Sequence, residues 1–291
     1  MTFNDNARID TSKVQRRKGG RTAMIGGGSL VGVLILFIAS QLLGVNLMPL
    51  ADMPSTQTSS SEQTLDLSHC TSGAAANEDD NCRMAGAADS LDVYWNATLG
   101  DGYRIPGVIL YTGSTSSACG TASTAVGPFY CPRDESIYVD TDFFQSLRSD
   151  FGATAGPLAQ MYVLAHEWGH HISNLTGTLG QVGNDSGASS GSVRLELQAD
   201  CYAGAWVKDA SQVKDANGNT FMKPVTREEI ADALNAAAAV GDDHIQQQAG
   251  QSVNPDGFTH GTSEQRQRWF QRGYESGPGA CDTFSVSAAS L

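Results

Sequence analysis

A chain of 291 residues with 40% hydrophobic content and four tryptophans is large enough for one sizeable domain with a real core. Its formal charge of -13 is unevenly spread: the first 21 residues carry a net +4 and the rest of the chain -17. An acidic body excludes a nucleic-acid partner, which needs a basic face, and the asymmetry points instead to a membrane.

Residues 1–21 form a basic leader with Arg8, Lys13, Arg16, Arg17, Lys18 and Arg21. Residues 22–51 contain no charge at all, a run of 30 with the apolar heart LVGVLILFIA. About 20 residues of helix cross a bilayer, so this reads as one transmembrane helix. A cleaved signal peptide is the weaker alternative, because the apolar run is too long and no A-x-A site follows it. Basic flanks stay in the cytoplasm, which predicts a single-pass cell-membrane protein with residues 52–291 outside. Residues 52–90 read as a Ser/Thr-rich stalk and a cysteine-containing linker, and residues 91–291 as the main folded domain.

All six cysteines follow the uncharged run. An even number in an extracytoplasmic segment predicts disulfides. Pairing between neighbours would join Cys70 to Cys82, Cys119 to Cys131 and Cys201 to Cys281, although six cysteines allow fifteen connectivities. No C-x-x-C is present, which argues against a cysteine-held metal.

Along the exposed part, 91–96 (LDVYWN) leans to helix. Residues 103–112 are rich in β-formers, and 128–131 and 136–140 suggest two more short strands around a turn at 132–135. Residues 141–151 read as helix, with Phe143, Phe144 and Leu147 on one side. Pro157 suits a first helical turn, and the helix it opens should run to about Leu175. Five glycines in 176–191 mark a loop, followed by a helix over about 192–208. Thr226 with Glu229 and Thr262 with Gln265 are capping boxes for two further helices. The expected fold is α+β, mostly helical, with a few strands gathered before the helix that starts at Pro157.

That helix carries His166-Glu167-Trp168-Gly169-His170, an H-E-x-x-H. At about 3.6 residues per turn both imidazoles project from one face and can share an ion, and Glu167 beside them can take a proton from a water there. His171 points about 100° away and reads as a polar or supporting histidine. Metzincins place a third histidine six residues on, but position 176 is Thr176. Glu196 is the expected third ligand, and Asp200, one turn later, the carboxylate that orients a ligand imidazole. Both sit in a largely apolar helix, where an acid needs a partner; a merely solvated face is the bland alternative.

H-E-x-x-H followed by E-x-x-x-D resembles the gluzincin arrangement of CAAX-prenyl-protease-type peptidases. More closely, HEWGHH, RLELQADCYAGAW, a GDD and HGTSEQRQRWF, in that order over about residues 100–275, are similar to the bacterial neutral zinc metallopeptidase family. The resemblance implies a zincin-like fold, one zinc ion per chain held by His166, His170 and Glu196, and hydrolysis of a peptide or protein substrate with Glu167 as general base. In related gluzincins a histidine after the glutamate ligand steadies the oxyanion; His260 could play that part, or simply bond to the helix that follows it. Arg266 reads as a structural ion pair, and Asp242 and Asp243 as turn caps. Strand 137–140 is a candidate edge for an extended substrate. Two rivals keep the metal without turnover: an inactive peptide- or envelope-binding protein, and a structural protein stapled by its ion. Glu167 argues against both, since neither needs it.

Overall fold

The computed structural model describes residues 2–18, 64–123, 126–183 and 185–291. The expected transmembrane helix and most of the stalk lie outside these residues. Among the described residues no helix is long and apolar enough to cross a membrane.

A mixed sheet packs against a group of helices. Strand β1 (Val14–Arg17) pairs in parallel with β3 (Gly107–Tyr111), and β3 in parallel with β7 (Ser136–Asp140). The short strands β2 (Thr64–Leu65) and β6 (Phe129–Cys131) close the two edges, each antiparallel to its neighbour, in the order β2-β1-β3-β7-β6. A separate hairpin joins β4 (Ser114–Ser117) to β5 (Gly120–Ser123). The helices are α1 (Gly73–Glu78), α2 (Asp80–Leu99), α3 (Phe143–Ser149), α4 (Pro157–Leu175), α5 (Gly191–Asp209), α6 (Arg227–Ala239), α7 (Asp242–Gln248) and α8 (Ser263–Ser276).

Local signals set the helix ends. Pro157 occupies the first turn of α4, and the Ser190 side chain caps α5 by accepting from the Val193 N–H. Both expected capping boxes form, Thr226 with Glu229 before α6 and Thr262 with Gln265 before α8. Helices α5 and α8 pack backbone to backbone: a Cβ on Gly204 would lie 2.0 Å from the Phe270 carbonyl oxygen. The one large core runs from α2 through α4 to α5 and α6, with Trp95, Trp168 and Trp206 fully buried. The three neighbour pairings of the cysteines are the disulfides found, Cys70–Cys82, Cys119–Cys131 and Cys201–Cys281.

Two boundaries differ from the sequence reading. Residues 66–90, expected as linker, belong to the packed body: α2 opens at Asp80, and residues 82–91 are buried without a break. Residues 2–17, expected as a separate leader, are also part of the body. Phe3, Ala7, Ile9 and Val14 are core residues, and β1 lies inside the sheet. Basic composition announces charge but says nothing of what the apolar residues between the charges pack against.

Candidate metal centre

Helices α4 and α5 cross where their backbones nearly touch. A Cβ on Gly169 would stand 2.8 Å from the Ala199 Cα and 2.9 Å from its carbonyl oxygen, so glycine in the middle of H-E-x-x-H permits the approach. The crossing brings Glu196 of α5 between the two histidines of α4. Its carboxylate lies 3.2 Å from His166 Nε2 and 3.4 Å from His170 Nε2. Ligand atoms at about 2.0–2.2 Å from a tetrahedral zinc stand roughly 3.3–3.5 Å apart, so these separations fit the ion. One donor atom from each of the three residues lies within 4.8 Å of the others. Two imidazoles and one carboxylate form a donor set of catalytic zinc, with a fourth position left to water or substrate.

The support behind His166 is dense. Its Nδ1 lies 2.8 Å from Asp200 Oδ1, which also accepts from the Tyr162 hydroxyl at 2.5 Å. Arg266 grips Asp200 with two nitrogens, at 2.8 and 2.9 Å, and donates to the Val240 carbonyl. Asp200 is fully buried and Arg266 nearly so, which makes this a buried ion pair with its hydrogen bonds filled. Burial alone would raise the Asp200 pKa, but Arg266 and His166 lower it below the usual carboxylate value. Burial likewise opposes charge on His166, yet Asp200 and Glu196 outweigh it and push its pKa up to about 10. A bound cation would displace that proton. Glu196 is held well below the ordinary range despite burial, chiefly by His170 and His166.

Glu167 is buried at the wall of the same cleft. Burial raises its pKa, and His170 and His166 only partly offset this. His260, from the loop before α8, also lines the cleft and is 4% exposed. Its Nδ1 sits 3.0 Å from Asp242 Oδ1. Asp242, expected only to finish a turn, therefore holds a cleft residue. His171 turns the other way, between the Tyr130 hydroxyl at 3.0 Å and the Arg104 carbonyl at 2.7 Å, as a supporting histidine should. Asp243 bonds to the Ser263 N–H and hydroxyl and ties α7 to α8.

The cleft has a volume of about 180 Å³ and is walled by β6, α3, α4, α5, α6, α7 and α8. Strand 137–140, the expected docking edge, is interior: β7 has β3 on one side and β6 on the other. The edge that reaches the cleft is β6, through Phe129 and Tyr130, with Pro128 and Pro132 on either side. A second group of potential ligands, His69, Cys70, Asp79 and Cys82, has both sulfurs committed to a disulfide.

A family model described as "Putative neutral zinc metallopeptidase" matches residues 3–284. The chain belongs to that family. It is 46% identical over 293 residues to the uncharacterized protein Rv2575 of Mycobacterium tuberculosis, with 99% of each chain covered. It is 35% identical over 304 residues to the uncharacterized protein YpfJ of Escherichia coli K12, covering 99% of this chain and 100% of the relative. No solved structure matches it. The family description suggests a zinc-dependent peptidase, and the three converging side chains are residues whose spacing suits a metal ion.

Proposed function

We propose that this protein is a zinc-dependent endopeptidase that hydrolyses peptides at apolar residues. The observation that carries the reading is the position of Glu167, buried in an apolar cleft beside three donor atoms spaced for zinc. Zinc, when bound by His166, His170 and Glu196, supplies Lewis-acid polarisation of the scissile carbonyl and makes water acidic enough to lose a proton near neutral pH. Glu167 takes the proton from the attacking water and hands it to the departing amine nitrogen. His260, its Nδ1 fixed on Asp242, presents its other ring nitrogen to the developing oxyanion. Asp200 holds the His166 ring in the orientation that points Nε2 at Glu196 and the ion.

The cleft lining supports the substrate class. Phe143, Leu147, Val163, Ala236, Val240 and Ile245 give an apolar surface that fits hydrophobic side chains. Its charged groups are those of the site itself, and Arg266 is already bonded to Asp200. Among the described residues no lining charge is left to receive a peptide's terminal amine or carboxylate, which favours internal cleavage. The short edge β6, flanked by two prolines that lack an N–H, offers few main-chain bonds, so side-chain pockets carry the selectivity.

The test is zinc analysis of the full-length protein, followed by cleavage of peptides blocked at both ends that carry Leu or Phe against Asp or Lys at the central position. Zinc at one per chain with cleavage of the blocked Leu and Phe peptides is expected. Zinc at that stoichiometry with no cleavage of any peptide would instead favour the inactive binding protein.

A further inference from the structure

Helix α4 presents two adjacent stripes with different partners. His166, His170 and Ser173 follow one another at helical spacing and meet α5: the two imidazoles reach Glu196, and the Ser173 hydroxyl donates to the Gln198 side chain at 2.7 Å. One residue on, Glu167, His171 and Asn174 repeat the spacing, turned by about 100° towards the sheet. All three meet a single residue there, Tyr130 of the edge strand β6. Its hydroxyl lies 3.0 Å from His171 Nδ1 and 2.9 Å from Asn174 Nδ2. The Tyr130 and His171 rings stand edge to face, with centroids 5.3 Å apart. At the other end of the residue, the Tyr130 backbone N–H faces the Glu167 carboxylate closely enough to favour its charged form.

Chemistry fixes the direction of each bond. The Arg104 carbonyl, 2.7 Å from His171 Nε2, can only accept, so in the neutral ring Nε2 carries the proton and Nδ1 is left as an acceptor. The Tyr130 O–H then donates to Nδ1, and its oxygen accepts from the Asn174 amide. His171 is fully buried, so no water stands ready to replace a lost partner. The strand held in this way is only three residues long and pairs with β7 alone. The Cys119–Cys131 disulfide ties its end to the β4–β5 hairpin, and the clasp on Tyr130 ties its middle to α4.

We propose that His171 and Asn174 are positioning residues for the general base. By clasping the Tyr130 hydroxyl they set the place of β6 against α4, which keeps the Tyr130 N–H on the Glu167 carboxylate and Glu167 aimed at the metal centre. The inference rests on the reading of Glu167 as the base of a peptidase. Glu167, His171 and Asn174 ride on one helix, so their mutual spacing is fixed and the strand is the part whose position must be set. Neither His171 nor Asn174 is among the residues that line the cleft, so any effect on chemistry passes through Tyr130, which does line it. Small shifts matter here: misplacing a reacting group by about 1 Å can cost roughly 10²-fold in rate.

The test measures kcat and KM of the full-length protein on the blocked Leu and Phe peptides, with zinc content and thermal unfolding on the same samples. Tyr130→Phe removes only the hydroxyl, Asn174→Ala one donor, and His171→Leu the acceptor. Each should keep one zinc per chain and lower kcat by about 10- to 100-fold with little change in KM, because a base acts on the transition state and not on substrate binding. His171→Asn, whose amide oxygen can stand near the Nδ1 position, should recover most of the kcat that His171→Leu loses. Tyr130→Phe combined with His171→Leu should be no slower than the slower single variant, since both break the same bond. A merely structural histidine gives a different pattern, with lower melting temperatures, unchanged kcat in the folded protein and no rescue by asparagine; that pattern would overturn the inference. Tyr130→Phe and Asn174→Ala carry the test if His171→Leu does not fold. Wild-type kcat in both, folded and zinc-loaded, would sink the clasp while leaving the peptidase reading in place. A zinc-loaded wild type that cleaves no peptide would instead remove the peptidase reading, and this inference with it.

Discussion

The Asp242 carboxylate holds His260 by four hydrogen bonds. One oxygen accepts from the backbone N–H groups of Thr259, His260 and Gly261 at 2.8, 2.6 and 2.9 Å, and the other faces His260 Nδ1 at 3.0 Å. The loop and the ring are thus positioned by a single side chain from the first turn of α7. Such an arrangement fixes the tautomer and the aim of an imidazole before substrate arrives, which is what oxyanion stabilisation requires.

A pH signature follows from this pair. Burial lowers the His260 pKa, but Asp242, followed by Glu196, outweighs both burial and Arg266 and raises it above 6.5. Burial raises the Asp242 pKa, and His260 with the backbone N–H groups brings it below 3.8. The pair's contribution is therefore complete between these values. It is lost on the acid side as pH falls below 3.8 through the depressed Asp242 pKa, and on the alkaline side as pH rises above 6.5 through the raised His260 pKa. In kcat/KM profiles, Asp242→Asn should move the alkaline limb down toward 6.5, and His260→Gln should remove it. Both should retain zinc. An unchanged alkaline limb in Asp242→Asn would show that His260 does not set it.

Glu167→Gln keeps the shape of the side chain and loses the base. Peptide cleavage should fall by about 10²–10⁴-fold, the usual contribution of a positioned general base, while zinc stays at wild-type stoichiometry. Metal content by mass spectrometry and turnover of blocked peptides check both halves. Activity within a few-fold of wild type would remove Glu167 from the mechanism.

Glu196 and Asp200 lie one turn apart on α5 but should fail differently. Glu196→Ala leaves two imidazoles, fewer than the three protein ligands of a catalytic zinc site, and should abolish zinc binding and activity with the fold intact. Asp200→Ala strands the buried Arg266 charge and should cost about 3–5 kcal/mol of stability, the range for breaking a buried pair. Asp200→Asn is the cleaner probe of ring orientation and should lower zinc affinity by about 10–100-fold. Thermal unfolding and zinc titration of the three variants separate the effects. Equal zinc affinity in Glu196→Ala and wild type would place the third ligand elsewhere, with His260 the next to test.

The ligand set could be read from sequence because each half is an i, i+4 pair on a helix, and helical periodicity alone aims such pairs. What the spacing could not give is the crossing that joins the halves, or the Arg266 fork behind Asp200. Residues 91–96 were read as helix, but the first half of α2 escaped notice for a physical reason: it is buried on every side from 82 to 91, so no polar face alternates with an apolar one. The edge strand was misplaced because strand order is a long-range property; residues 137–140 look like a strand in the middle of a sheet or at its rim. Residues 2–17 were read by charge, and their packing partners lie as far along the chain as Phe221 and Asp215.

Gly169 is the residue through which helix packing governs the metal site. Two of the three closest atoms to a Cβ placed there are backbone atoms of Ala199, which cannot rotate away. Gly169→Ala must therefore push α5 off α4, and overpacking of this kind costs about 1–3 kcal/mol. At roughly 2–4 °C per kcal/mol for a domain of this size, the melting temperature should fall by several degrees. Because Glu196 rides on α5 and the histidines on α4, the same displacement should weaken zinc binding. Adding Ala199→Gly removes only the third contact, a Cβ at 3.1 Å, and should not restore affinity. Gly180→Ala, where nothing lies within 4 Å, serves as the control and should change neither property. A Gly169→Ala protein with wild-type melting and wild-type zinc affinity would show that the α4–α5 crossing has room for a Cβ, and that glycine stands in the motif for some other reason.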